Sequence, residues 1–163
     1  MSEDVQQNVQ QNNDRLLSIT PSFFSKGEAM TKCVVCQRIP PKEVFEMTHQ
    51  VLDDHLDKQT IHEIATSIME IVHYADKKNR FVFCGKSKKT IVGSLMYLIS
   101  LEMTFKPSFV NPRSGQKNAV MSQSDIARNL NITEVTIRQN YRRWLKLFPE
   151  LFPTTIEKQK HWG

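Results

Sequence analysis

The stretch from Thr133 to Lys146 carries the most legible chemistry in the chain. It reads Thr133-Glu134-Val135-Thr136-Ile137-Arg138-Gln139-Asn140-Tyr141-Arg142-Arg143-Trp144-Leu145-Lys146. Arg138, Arg142, Arg143 and Lys146 are cations, Gln139 is an amide, and the one acid, Glu134, stands at the start. An Arg guanidinium can fork onto guanine and a Gln amide onto adenine, while a branched methyl such as that of Val135 can meet a thymine methyl. Thr133, Val135, Arg138, Gln139 and Arg142 are therefore candidates to face bases or the nearest phosphates. Arg143 and Lys146, with Arg128 and Lys117 before them, are candidates to neutralise phosphate. The same pattern also fits a pair of antiparallel helices with a solvated basic face, and spacing alone leaves both readings open.

Other reactive side chains form weaker patterns. Cys33-Val34-Val35-Cys36 is half of a tetrahedral zinc site. The second pair is absent, so Cys33 and Cys36 read as linker residues, and zinc would need ligands from elsewhere in this chain or from another. Asp53, Asp54 and Asp57 lack the glycine and the closing glutamate of a calcium loop and read as a solvated helix end. His62 and His73 read as surface or satisfied histidines. Gly85-Lys86-Ser87 lacks the glycine five residues earlier, where Arg80 stands, and the preceding strand that a phosphate loop needs. Cys84 beside Lys86 is the one candidate for a mildly activated thiol, and is read in preference as a buried structural cysteine. No Ser/His/Asp or Cys/His arrangement is legible, so no catalytic residue is expected.

The candidate face needs a helix, a tight corner and a second helix over 122–148. Ser122 can cap the first helix, with Asp125 completing a capping box. Asn131 enters the left-handed region with little strain, as a helix C-terminal corner requires. Thr133 can cap the second helix, and Glu134 suits its positive end. Ile126, Ala127 and Leu130 form one apolar stripe; Ile132, Ile137, Tyr141 and Leu145 form another.

Three helices are expected before this unit. The first spans about Pro41 to Leu56 and the second about Lys58 to Lys78, with a broad stripe from Ile61 to Ala75. The third, about Ser87 to Thr104, is apolar nearly all round and therefore central, with Gly93, Ser94 and Ser100 allowing close neighbours. Residues 105–121 read as a long loop. Residues 1–40 read as a flexible segment and linker, polar at first, with Leu16 to Phe24 as an anchor over the core or a docking motif. Residues 41–153 read as one helical domain, and 154–163 as a tail after Phe152-Pro153.

The chain has 163 residues, 39% hydrophobic, with five glycines and a net charge of +5. The charge is uneven. Lys86 to Lys146 holds eleven Lys/Arg and three acids, a net +8, which leaves −3 for the rest. A one-sided cationic field suits a polyanion. Three cysteines make no disulfide framework, no apolar run is long enough to span a membrane, and the start lacks a signal-peptide core. The expectation is an intracellular protein.

Two blocks resemble a known family. Gly85-Lys86-Ser87 leading into Ile91-Val92-Gly93-Ser94-Leu95-Met96-Tyr97-Leu98 is similar to the third helix of a cyclin-like repeat in transcription factor IIB and archaeal transcription factor B. Ser122 to Ala127 and Ile132 to Tyr141, followed by Leu151-Phe152-Pro153, resemble the fourth and fifth helices of the second repeat. The resemblance implies an all-α, five-helix cyclin-like bundle ending in a helix-turn-helix. It also implies promoter DNA as ligand, with Val135 and Arg138 at base-contacting positions, and TATA-binding protein or another transcription component as partner. The family has two repeats and a four-ligand zinc ribbon. Here there is room for one repeat, and Cys33 and Cys36 supply at most half a ribbon, so a reduced, single-repeat relative is implied. The competing expectation is a cyclin-like module that binds a partner protein without reading DNA.

Overall fold

Pro41 opens the first helix, its fixed φ suiting the first helical position and its missing N–H costing nothing there. The computed structural model describes residues 39–79, 81–106 and 120–162. The segment 1–38 with Leu16 to Phe24, Cys33 and Cys36, and residues 107–119 with Lys117, lie outside the described residues. Six α-helices and one 3-10 turn make up the described part, without a strand. They are α1 (Pro41–Leu52), α2 (Lys58–Lys78), α3 (Lys88–Phe105), α4 (Gln123–Leu130), α5 (Glu134–Leu147), the 3-10 turn Pro149–Leu151, and α6 (Pro153–Trp162).

Capping explains where the helices begin. Asp57 accepts from the Thr60 N–H at 3.0 Å and so starts α2 at Lys58. α1 ends at Leu52 rather than near Leu56 as the sequence suggests, because the chain turns there, with the His55 and Leu56 N–H groups both reaching Leu52 O at 2.8 and 3.0 Å. The role of Asp57 is specific, where the three acids 53, 54 and 57 read as a common solvated end. The Thr60 hydroxyl and N–H hold the Asp57 carboxyl below the usual carboxylate range. Ser87 caps α3 by accepting from the Thr90 N–H at 3.2 Å, just after Gly85 turns the chain at φ 69°. Gly85-Lys86-Ser87 is therefore a corner and a cap. Cys84 in the same connection is exposed, not buried as expected, because Val82 and Phe83 take the inward positions instead.

α3 packs against all five other helices. Ile91, Val92, Leu95, Met96 and Leu98 are buried, while Ile99, Leu101 and Met103 are half-buried toward its C-terminal end. Its small residues decide what approaches. A Cβ on Gly93 would lie 3.0 Å from Leu130 Cδ1 and 3.3 Å from both Ile126 Cγ2 and Ile132 Cδ1, so the missing side chain lets α4 and the following corner sit close. Ser94 accepts from Trp144 Nε1 at 3.1 Å, which ties α5 to the same helix. Phe83, Trp144 and Phe148 then pack in series, with ring centroids 5.9 and 5.6 Å apart.

The C-terminal residues form a helix, not the tail expected over 154–163. Pro153 reads in sequence as a stop, but it occupies the first position of α6, where proline is a start signal. The buried Glu102 of α3 accepts from the Thr155 N–H through Oε1 at 2.7 Å, capping the new helix from a neighbouring element. Thr155 is buried and Ile156 packs on the core.

Candidate nucleic-acid interface

α4 and α5 meet through a corner whose chemistry is local. Ser122 Oγ accepts from the Asp125 N–H at 3.0 Å, and Asp125 Oδ2 accepts from the Ser122 N–H at 3.3 Å, closing the capping box. The Ser122 hydroxyl holds the Asp125 carboxyl below its usual range. Asn131 is left-handed, at φ 54° and ψ 52°. The Ile132 N–H reaches Ala127 O at 3.0 Å across it, a Schellman-type close. Thr133 Oγ1 accepts from the Thr136 N–H at 3.1 Å and starts α5. Gln50 of α1 donates to Asn129 O at 2.7 Å and braces the corner from outside.

Burial divides α5 into two sides. Ile137, Asn140, Trp144 and Leu145 are buried, and Tyr141, half-buried, lies 5.1 Å from the Tyr97 ring. Val135, Gln139, Arg142 and Lys146 are exposed. They recur at i, i+4, i+7 and i+11, which keeps them within a sector of about 60°. Val135 is 54% exposed, high for a branched apolar side chain. Among the described residues, no acid forms an ion pair with Arg138, Arg142, Arg143 or Lys146. Lys88, by contrast, is engaged by Glu43 at 2.8 Å.

The remaining predicted residues do not join this stripe. Arg138 and Arg143 flank it, about 70° to either side. Arg138 Nε donates to Gln123 Oε1 at 3.4 Å, across to the start of α4. Arg143 is half-buried and shares a small pocket with Val82, Lys86 and Trp144. Arg128 is exposed on α4, where it and His55 both lie near Asp125, on the side of the α1–α2 turn. Lys117 is outside the described residues. Gln123 and Lys86 were not singled out in sequence as members of this surface. Their signal was spatial: one faces Arg138 across the corner, and the other meets Arg143 from the 81–86 connection.

Among the described residues, no group of three or more His, Cys, Asp or Glu is arranged to hold a metal ion. No described helix is long and apolar enough to cross a membrane. Comparison with protein-family models, with curated proteins and with solved structures gives no match.

Proposed function

We propose that this protein is a DNA-binding transcription factor that presents α5 to the major groove of promoter duplex, with α4 and α5 acting as a helix-turn-helix. On this reading the helical domain resembles a single cyclin-like repeat of the transcription factor IIB family, acting as a regulator or initiation factor. The observation that carries the reading is the exposed stripe Val135, Gln139, Arg142 and Lys146, which among the described residues has no paired acid and whose N-terminal end is exposed. α6 packs on α3 and on the 3-10 turn and faces the later turns of α5 across an open groove, while Val135 and Arg138, on the first turns of α5, are exposed. The start of a second helix is the part that enters the groove in such units.

Val135, Gln139 and Arg138 serve bases, and Thr133 and Arg142 serve bases or the nearest phosphates. Lys146, Arg143, Arg128 and Lys117 serve phosphate. No residue is assigned a catalytic step. One repeat has a small footprint, so a DNA-bound partner such as TATA-binding protein, or a second copy, would raise occupancy through effective concentration. A protein-binding role without DNA has one observation of its own, Phe81, which is 76% exposed at the tip of the α2–α3 connection.

Selection of bound sequences from a random duplex pool tests the reading. A defined motif should enrich. Val135→Asp, which sets a carboxylate against the phosphates and base edges, should weaken binding to that motif by about tenfold or more while α-helical content is kept. No shift of random duplex at low salt, together with no enriched motif, sinks the reading.

A further inference from the structure

The later turns of α5 and α6 enclose an open groove of about 710 Å³. Phe105, Tyr141, Leu145 and Ile156 line it with apolar surface. Its cations stand on both walls, Arg142 and Lys146 from α5 and Lys158 from α6, and among the described residues no acid lines it. We propose that this groove docks an acidic amphipathic helix of a partner protein. Such a helix carries one apolar stripe with acids on both flanks. That arrangement complements an apolar floor between two cationic walls, the helix-in-groove mode of recognition. A duplex backbone would use the cations but leave the apolar floor against water. A single strand would stack bases on aromatic faces, yet Leu145 and Ile156 make half of this floor aliphatic.

The inference does not depend on DNA reading. Arg142 and Lys146 belong to both surfaces, however, so a docked acidic helix and a bound duplex compete. Lys158 and Ile156 belong to the groove alone, which separates the two experimentally.

The probe is a fluorescein-labelled helical peptide of about 18 residues, with leucines along one face and glutamates flanking them. The control is the same peptide with every glutamate replaced by glutamine. Anisotropy with the full chain should show the acidic peptide binding about tenfold or more tighter than the control at low salt. Lys158→Glu and Ile156→Ser should each weaken it about fivefold or more. Because Ile156 packs on the core, the exposed Lys158→Glu change keeps the test valid if Ile156→Ser disturbs α6. Equal binding of the two peptides overturns the proposal, as does a Lys158→Glu variant that binds like the parent. Tighter binding of oligothymidylate, lost on Lys158→Glu, overturns it in favour of single-stranded nucleic acid. Duplex binding is measured in parallel: its absence, with the peptide result intact, removes the DNA reading and leaves the groove standing.

Discussion

Arg138 lies beside the exposed stripe rather than on it, held by one hydrogen bond from Nε to Gln123 Oε1 at 3.4 Å. Its spacing in the sequence puts it among the base-facing candidates, but burial centres the exposed sector on Val135 and Gln139, with Arg138 on the flank nearest α4. Gln123 Oε1 takes up Nε, which leaves both terminal amino groups of the guanidinium free to fork onto guanine. On the proposed function, Arg138→Ala should weaken the selected site by about 1–3 kcal/mol and relax preference at one base pair. Gln123→Ala should relax preference at that same pair more weakly. The two should be non-additive, as expected for groups in one network. Anisotropy titrations on all single-base variants of the selected site would read this out. An equal loss on every sequence for Arg138→Ala would remove base reading by this residue.

A second residue carries a pH signature unrelated to the face. Glu70 lies buried in α2, and loss of hydration pushes its carboxyl up to about 7 from an ordinary 4.5. The folded state therefore holds the proton more tightly than the unfolded chain. Its stabilising contribution is complete below about 4.5 and is lost as pH rises through about 7. His73, on the same helix, is shifted down by burial, with Lys77 adding to the shift, and acts in the opposite sense as pH falls below 6.5. Comparing Glu70→Gln with the parent isolates the carboxylate. The variant should be more stable by about 1–2 kcal/mol at pH 8 and nearly equal to the parent at pH 4.5 in urea melts. No difference at pH 8 would mean that the charged carboxylate is already well solvated.

At the scale of elements, legibility followed whether the deciding interaction was local. The Ser122–Asp125 box, the Asn131 corner and the Thr133 cap each close within a few residues, and all three could be read before any packing was known. The extent of α2 was equally plain from its apolar stripe. α6 was missed because its cap comes from α3: Glu102 is 53 residues away from Thr155, and Pro153, two residues before Thr155, resembles a breaker. The end of α1 falls at Leu52 rather than near Leu56 because residues 53–56 close as a turn on Leu52 O, a backbone choice that the apolar spacing up to Leu56 does not reveal. The capping account predicts a graded response. Glu102→Ala removes the acceptor at the start of α6 and should destabilise the protein by about 1–2 kcal/mol, with early amide exchange confined to 153–162. Glu102→Gln keeps an oxygen acceptor and should recover part of that loss. Protection of the α6 amides unchanged in Glu102→Ala would show that packing of Ile156 and Thr155 alone holds this helix.

For the whole molecule, the uneven charge acquires a geometry. The three-dimensional arrangement draws Arg138, Arg142, Arg143 and Lys146 onto one exposed helix, brings Lys86 beside Arg143, and adds Lys158 from α6 across the groove. The acid that follows this helix, Glu150, is engaged on the α2 side by the Tyr74 hydroxyl at 2.8 Å. A field of this kind acts mainly through counterion release, so its effect is read in salt rather than in sequence preference. Lys146 is exposed at the far end of the stripe from Val135; on the proposed function it lies beyond the turns that enter the groove and serves a phosphate. Lys146→Ala should therefore weaken selected and random duplexes by the same factor, and reduce the slope of log K against log salt by about 1. Arg138→Ala should instead lower the ratio between selected and random affinities with a smaller change in slope. A Lys146→Ala variant that altered the enriched motif and left the salt slope intact would mean that the duplex lies across α5 in another direction. The division between base-facing and phosphate-facing residues would then have to be redrawn from the C-terminal end of the helix.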